Sequence, residues 1–245
     1  MTIDTSGPAT PPVYVPAEKP NGLATYFGVL FSPGEAFATL ARTPMWGWAA
    51  IIGMLLVVAA STISLPEIMK ISQIAQAQAI SQMSADQQAQ AHQNIAAFAG
   101  VARVFIIVFA FIGPWVGWLL AAVVYLIGAS ASKADVNFGR AWTLAVNAFL
   151  VFFLGQLVNA VILATRGPDS IASAADVYAI PSLAMFTHAP KLAAALFAFN
   201  PINLWYYAVI AIGLQIVMRM KPTAAWITVA VYALIGAGFG AALAR

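Results

Sequence analysis

The sequence predicts an all-α membrane protein: a five-transmembrane-helix bundle with N-terminal interfacial amphipathic helices. Three observations predict it. Apolar residues make up 62% of the 245 and charged residues 8%, against about 45–50% and about 25% in ordinary globular chains. Five stretches are long enough to cross the hydrocarbon core, which needs about 20 mostly apolar residues. None of the five contains Asp, Glu, Lys or Arg, so every charge falls between or outside them. So few charges cannot cover a soluble fold, and the excess apolar surface needs lipid. No long polar stretch separates two apolar blocks, so residues 21–245 read as a single membrane domain.

Residues 1–20 hold five prolines (Pro8, Pro11, Pro12, Pro16 and Pro20) and no apolar run. They lack the basic start and apolar centre of a signal peptide. They read as a disordered, proline-rich tail with some polyproline character.

Residues 21–42 differ from both tail and spans. Leu23, Tyr26, Phe27, Leu30 and Phe31 recur at i, i+3, i+4, i+7 and i+8, the spacing of one helix face. Ser32-Pro33-Gly34-Glu35 has capping-box spacing with proline at the first helical position. A second short helix follows, with Phe37 and Leu40 on one side. Two short amphipathic helices ahead of a span lie in the membrane interface. The five aromatic and leucine positions are therefore the candidate interfacial surface, acting either as a shallow wedge in lipid or as a collar against the bundle.

The spans follow at about 45–65, 104–128, 141–165, 200–218 and 223–244. Trp46 and Trp48 open the first, Trp142 the third and Trp226 the fifth, and Trp205, Tyr206 and Tyr207 sit near the start of the fourth. Such rings favour the headgroup level. Thr43-Pro44 reads as a helix start, and Met220-Lys221-Pro222 as a tight reversal. Residues 66–100, rich in Ala, Gln and Ile, should continue the first span as helix. They should break at the Ser84–Gln87 capping box and restart toward the second span. Residues 166–191, with Pro168, Pro181 and Pro190, should form a loop with short helical pieces. Pro114 should bend the second span. Its Gly113–Gly117 pair and the Gly236, Gly238 and Gly240 face of the fifth allow close packing.

With five spans, Lys19, Arg42, Lys133, Arg140, Arg219 and Lys221 fall on one side and Lys70, Arg103, Arg166, Lys191 and Arg245 on the other. Four of the first six crowd the two shortest loops. The positive-inside rule then places the N-terminus in the cytoplasm.

Reactive groups are scarce. There is no cysteine, which excludes disulfides and thiolate chemistry. The two histidines, His92 and His188, lie in polar segments and join no metal-ligand motif. The spans hold no carboxylate, His or Lys for acid–base work. No catalytic, cofactor or metal site is predicted, and the net charge of +3, thinly spread, predicts no nucleic-acid partner. The spans do carry amides: Asn147, Gln156 and Asn159 in the third, Asn203 and Gln215 in the fourth. An unpaired amide in lipid is unfavourable, so each should face protein, with Gln156 and Asn159 together on the inner side. They serve either interhelical hydrogen bonding or a polar path for a solute.

Together FSPGEAFATLARTPMWGWAAII at 31–52, the five spans and NPINLWYYAVIAIGLQIVMR at 200–219 carry a resemblance. The pattern, with Ser32, Pro33, Glu35, Phe37 and Pro44 at the front and Asn200, Trp205 and Gly213 near the end, resembles the Yip-type, Rab-GTPase-interacting membrane proteins. The alanine-rich composition points to their bacterial branch. The resemblance covers roughly residues 23–244. It implies a five-span bundle with a cytoplasmic N-terminus, here in a bacterial inner (plasma) membrane. Eukaryotic members are associated with Rab-type GTPases and membrane shaping, but no residue here marks a GTPase contact. The expected role is a non-enzymatic scaffold that organises or shapes the bilayer or recruits partners, the lipid bilayer first and a protein partner or second copy next. A small transporter or channel for an uncharged or polar solute is the alternative.

Overall fold

The computed structural model describes residues 20–187 and 189–244, all of them helix or connection, with no strand among them. The expected tail at 1–20 lies outside the described residues except for Pro20. Two short helices come first, α1 (Gly22–Phe31) and α2 (Pro33–Arg42). Asn21 caps α1, its side-chain oxygen accepting from the backbone of Leu23 at 3.0 Å and Ala24 at 3.2 Å. Ser32 alone joins the two helices, and the capping box expected there is not made. Its N–H closes α1 on the Gly28 carbonyl at 2.8 Å and its carbonyl opens α2 by accepting from Ala36 at 3.1 Å. Serving both helices fixes its backbone in a torsion that leaves the hydroxyl out of α2's first turn.

The helix start read at Thr43-Pro44 is also displaced. Thr43 closes α2, its N–H bonding the Thr39 carbonyl at 2.9 Å. Residues before proline are pushed toward extended backbone, and α3 begins only at Gly47 (Gly47–Ile63). From Ser64 the chain turns by 55° into α4 (Leu65–Ser81). Pro66 lies in α4's first turn, where its missing N–H and its ring break the ladder. The continuation expected beyond the first span is thus helical but bent.

The break at residue 84 is as read. Gln87 reaches back to accept from the Ser84 N–H at 3.1 Å, opening α5 (Ala85–Ala131), a helix of 47 residues that runs through Pro114 unbroken. Asn137 caps α6 (Phe138–Arg166) by accepting from the Arg140 N–H at 3.1 Å. Gly167, at φ 76°, ends it in the left-handed region that suits glycine. Short 3₁₀ turns occupy Pro168–Ser170, Ala174–Val177 and Leu183–Phe186. Then come α7 (Pro190–Phe197), α8 (Pro201–Val217), set at 47° to it, and α9 (Pro222–Leu243). Asn200 makes the α7–α8 joint: its amide donates to the Phe197 carbonyl and its oxygen accepts from the Asn203 N–H, both at 2.9 Å.

Three helices (in α5, α6 and α9) are long and apolar enough to cross a membrane, and the count reaches five if the bent pairs α3–α4 and α7–α8 each count as one span. The centre is α6, which packs against α3, α5 and α8. The core holds Trp118, Tyr125, Leu144, Leu150, Tyr206, Ile210 and Leu214. The outward faces of α5 and α9 expose Phe109, Leu120, Ile127, Ile227, Leu234 and Phe239, an apolar belt that lipid covers.

Candidate functional site

The end of the bundle that carries α1 and α2 gathers the start of α3, the α5–α6 turn and the α8–α9 turn. The two turns are tied by the Asp135 N–H donating to the Met218 carbonyl at 3.1 Å. Each contains a basic residue in left-handed backbone, Lys133 at φ 55° and Arg219 at φ 54°. Both stand just past a helix C-terminus, where positive charge is favourable.

α2 docks on this end by its own apolar side. Phe37 and Leu40 are buried against the core, and α2 packs on α8. Phe37 meets α8 at Gly213, where an added Cβ would lie 3.2 Å from the Phe37 ring and would overlap Leu144. Two residues read as signature positions at opposite ends of the sequence thus form one contact.

α1 packs against α2, α6 and α3. The five residues read as one interfacial surface divide between two environments. Leu23, Phe27 and Phe31 point outward, Phe31 being 84% exposed. Leu30 is half-buried. Tyr26 does not belong to that surface: it is 1% exposed and sits with Val29 in the core. The apolar arc of α1 is wide enough to serve lipid on one side and protein on the other. Burial pushes the Tyr26 hydroxyl's pKa up, so it stays protonated.

Two of the amides, Asn147 and Asn159, clasp connections to α6. Asn147, 1% exposed, donates to the Met45 carbonyl at 2.9 Å and the Thr143 carbonyl at 2.8 Å, pinning the α2–α3 connection to α6. Asn159 holds the connection after α6: it donates to the Val177 carbonyl at 2.9 Å and accepts from Ala179 at 2.9 Å and Ile180 at 3.3 Å. It therefore faces the loop rather than the bundle interior. Gln215 bonds back to the Ala211 carbonyl of its own helix at 3.0 Å. Gln156 is exposed rather than turned inward, while Gly155 beside it makes the close contact with Ile202. Gln156 and Asn203 border a cavity of about 10 Å³, with Phe152, Ile180, Phe197 and Asn200. That volume is at the lower limit for a single water.

Several features escaped the sequence reading. Trp46 and Trp142 meet edge-on at 6.1 Å, and Trp115 and Phe138 stack on Trp142 at 6.2 and 6.1 Å. Grooves of about 440 and 530 Å³ flank Trp46. Glu67, just past the bend into α4, is 2% exposed with one carboxylate oxygen unpartnered. Tyr206 and Tyr232 share a hydrogen bond of 3.0 Å between α8 and α9. Among the described residues no group of three or more His, Cys, Asp and Glu could hold a metal. His92 lies in α5, and His188 lies outside the described residues.

Membrane protein YknW of Bacillus subtilis (strain 168) is 28% identical over 221 residues, which span 86% of this chain and 87% of that protein. No solved structure matches. The Yip1 domain matches residues 27–244, from within α1 to the end of α9, and on that match the chain is an integral membrane protein of the Yip1 domain family.

Proposed function

We propose that the protein is a non-enzymatic scaffold of a bacterial inner membrane, with residues 21–245 acting as one unit and the N-terminus in the cytoplasm. Its working part is the α1–α2 hairpin. The carrying observation is that the hairpin is anchored and exposed at once: Tyr26, Val29, Phe37 and Leu40 are buried in the bundle, while Leu23, Phe27 and Phe31 face outward. A helix held at the membrane boundary with aromatic rings outward inserts them among the headgroups. It widens one leaflet and favours curvature convex on that side. The same surface offers an apolar face to a protein partner or a second copy.

The orientation is supported by Lys133, Arg140, Arg219 and Lys221, which all stand at the hairpin's end of the bundle in short turns or beside them. The small transporter is disfavoured by Asn147, Asn159 and Gln215, whose partners are backbone groups, and by the volume of about 10 Å³ that Gln156 and Asn203 share, too small for a solute.

The test combines a spin label at residue 27 with liposome tubulation by wild type and the Phe27→Ser/Phe31→Ser double variant. We expect the label at headgroup depth and tubulation reduced in the variant. A label shielded by protein, with equal tubulation, would leave the hairpin a structural collar.

A further inference from the structure

The α5–α6 and α8–α9 turns share a peculiarity. Lys133 at φ 55° and Arg219 at φ 54° are the two non-glycine residues with positive φ among the described residues. Left-handed backbone crowds Cβ against the following carbonyl, so the position after a helix commonly takes glycine. Here both such positions take a long basic residue, and both residues are exposed. Attraction to the helix end accounts for the sign of the charge. It does not account for the place, since a basic residue in the last helical turn would gain the same attraction without the strained backbone.

The two turns form one surface. The Asp135 N–H donates to the Met218 carbonyl at 3.1 Å. Lys133 lies two residues before that tie, and Arg219 and Lys221 follow it directly in the other turn. Asp135 is the one carboxylate in either turn, and it is paired with Arg140. Lys133, Arg219 and Lys221 are all exposed and have no ion-pair partner among the described residues. α2, docked on α8, adds one charge of each sign, Glu35 and Arg42. Three uncompensated cations are thus gathered around one backbone joint.

We propose that this joint binds an anionic phospholipid, whose phosphate lies between the two turns. The level suits a lipid. The helices that leave the turns, α6 and α9, each place a tryptophan at their fifth residue, Trp142 and Trp226. Five residues rise about 7.5 Å at about 1.5 Å per residue. Indole rings settle at the membrane–water boundary, so the basic residues stand about one helical turn further out, level with the phosphates. Lys and Arg so placed attract acidic headgroups. Arg219 supplies a planar fork of donors that matches phosphate, and the two lysines supply point charges. The site uses none of the outward residues of α1. Failure of the tubulation test would leave it standing, and its own failure would leave the wedge.

The test uses the purified full chain in detergent and native mass spectrometry. Phosphatidylglycerol and phosphatidylcholine with matched chains are titrated, one anionic and one neutral overall. We expect the wild type to retain phosphatidylglycerol the more tightly. Lys133→Gly/Arg219→Gly removes two charges and gives each turn the residue its backbone suits, so its melting temperature should be no lower than that of the wild type. At about fivefold for each basic residue near an anionic headgroup, its hold on phosphatidylglycerol should fall roughly 25-fold, with its hold on phosphatidylcholine nearly unchanged. Equal retention of the two lipids by the wild type would overturn the proposal, and that comparison needs no variant to fold. A double variant that keeps the full preference would overturn it as well. Glycerol phosphate retained as tightly as phosphatidylglycerol would make the occupant a soluble phosphate and also count against the lipid.

Discussion

Asn147 shows how much one amide can do where no water competes. Its nitrogen satisfies two carbonyls, one in its own helix and one at Met45 in the connection ahead of α3. Asn147→Leu keeps the volume and removes both bonds, leaving the Met45 carbonyl without that donor. Side-chain hydrogen bonds in membrane proteins average about 0.6 kcal/mol and reach about 1.7. We expect a loss of about 1 kcal/mol in a reversible unfolding titration, with faster hydrogen exchange confined to residues 43–48. Gly213 is the opposite case, a position where nothing is the right side chain. Gly213→Val would drive its methyls into Leu144 and the Phe37 ring. Overpacking of this kind costs about 1–3 kcal/mol. The least expensive relief is to lift α2 away, so the expected result is new protease cleavage between residues 33 and 42 while the spans stay protected. Unchanged cleavage would show that α2 is held by something other than this contact.

At the scale of elements, the chain's apolar runs were legible and their bends were not. The expected spans at 45–65, 200–218 and 223–244 correspond to α3 at 47–63, α8 at 201–217 and α9 at 222–243. Lipid demands long uncharged runs, so their limits are written in composition. The 55° turn at Ser64 and the 47° turn at Asn200 depend on where the neighbouring helices stand, which no local pattern records. The division of α1 was hidden for a related reason. In water an apolar face means protein contact, but at a membrane lipid and protein are equally apolar, so Tyr26 and Phe31 look alike in sequence and lie in different surroundings. Asn147 and Asn159 were legible as residues needing partners. Their partners, Met45 and the 177–180 backbone, lie too far along the chain to be read from spacing.

At the scale of the whole molecule, an odd number of crossings puts the two ends on opposite sides. That holds if both bent pairs traverse the membrane, or if neither does, since three and five crossings are both odd. Reporter fusions at residue 10 and after residue 245 should therefore read opposite compartments. The same compartment for both would make one bent pair re-entrant, α7–α8 first, because α7 has only 8 residues. The long α5 has a different consequence. Its 47 residues measure about 70 Å at about 1.5 Å per residue, more than twice the hydrocarbon thickness of about 30 Å. The segment ahead of the span, 85–103, therefore stands about 28 Å tall on the face away from α1. Copies crowded together would meet on that face first, and their lateral pressure would bend the sheet the opposite way from rings inserted beneath. Were α1 the wedge, the shape imposed would be limited by the protein's own surface density: strongest when sparse, and cancelled as it accumulates.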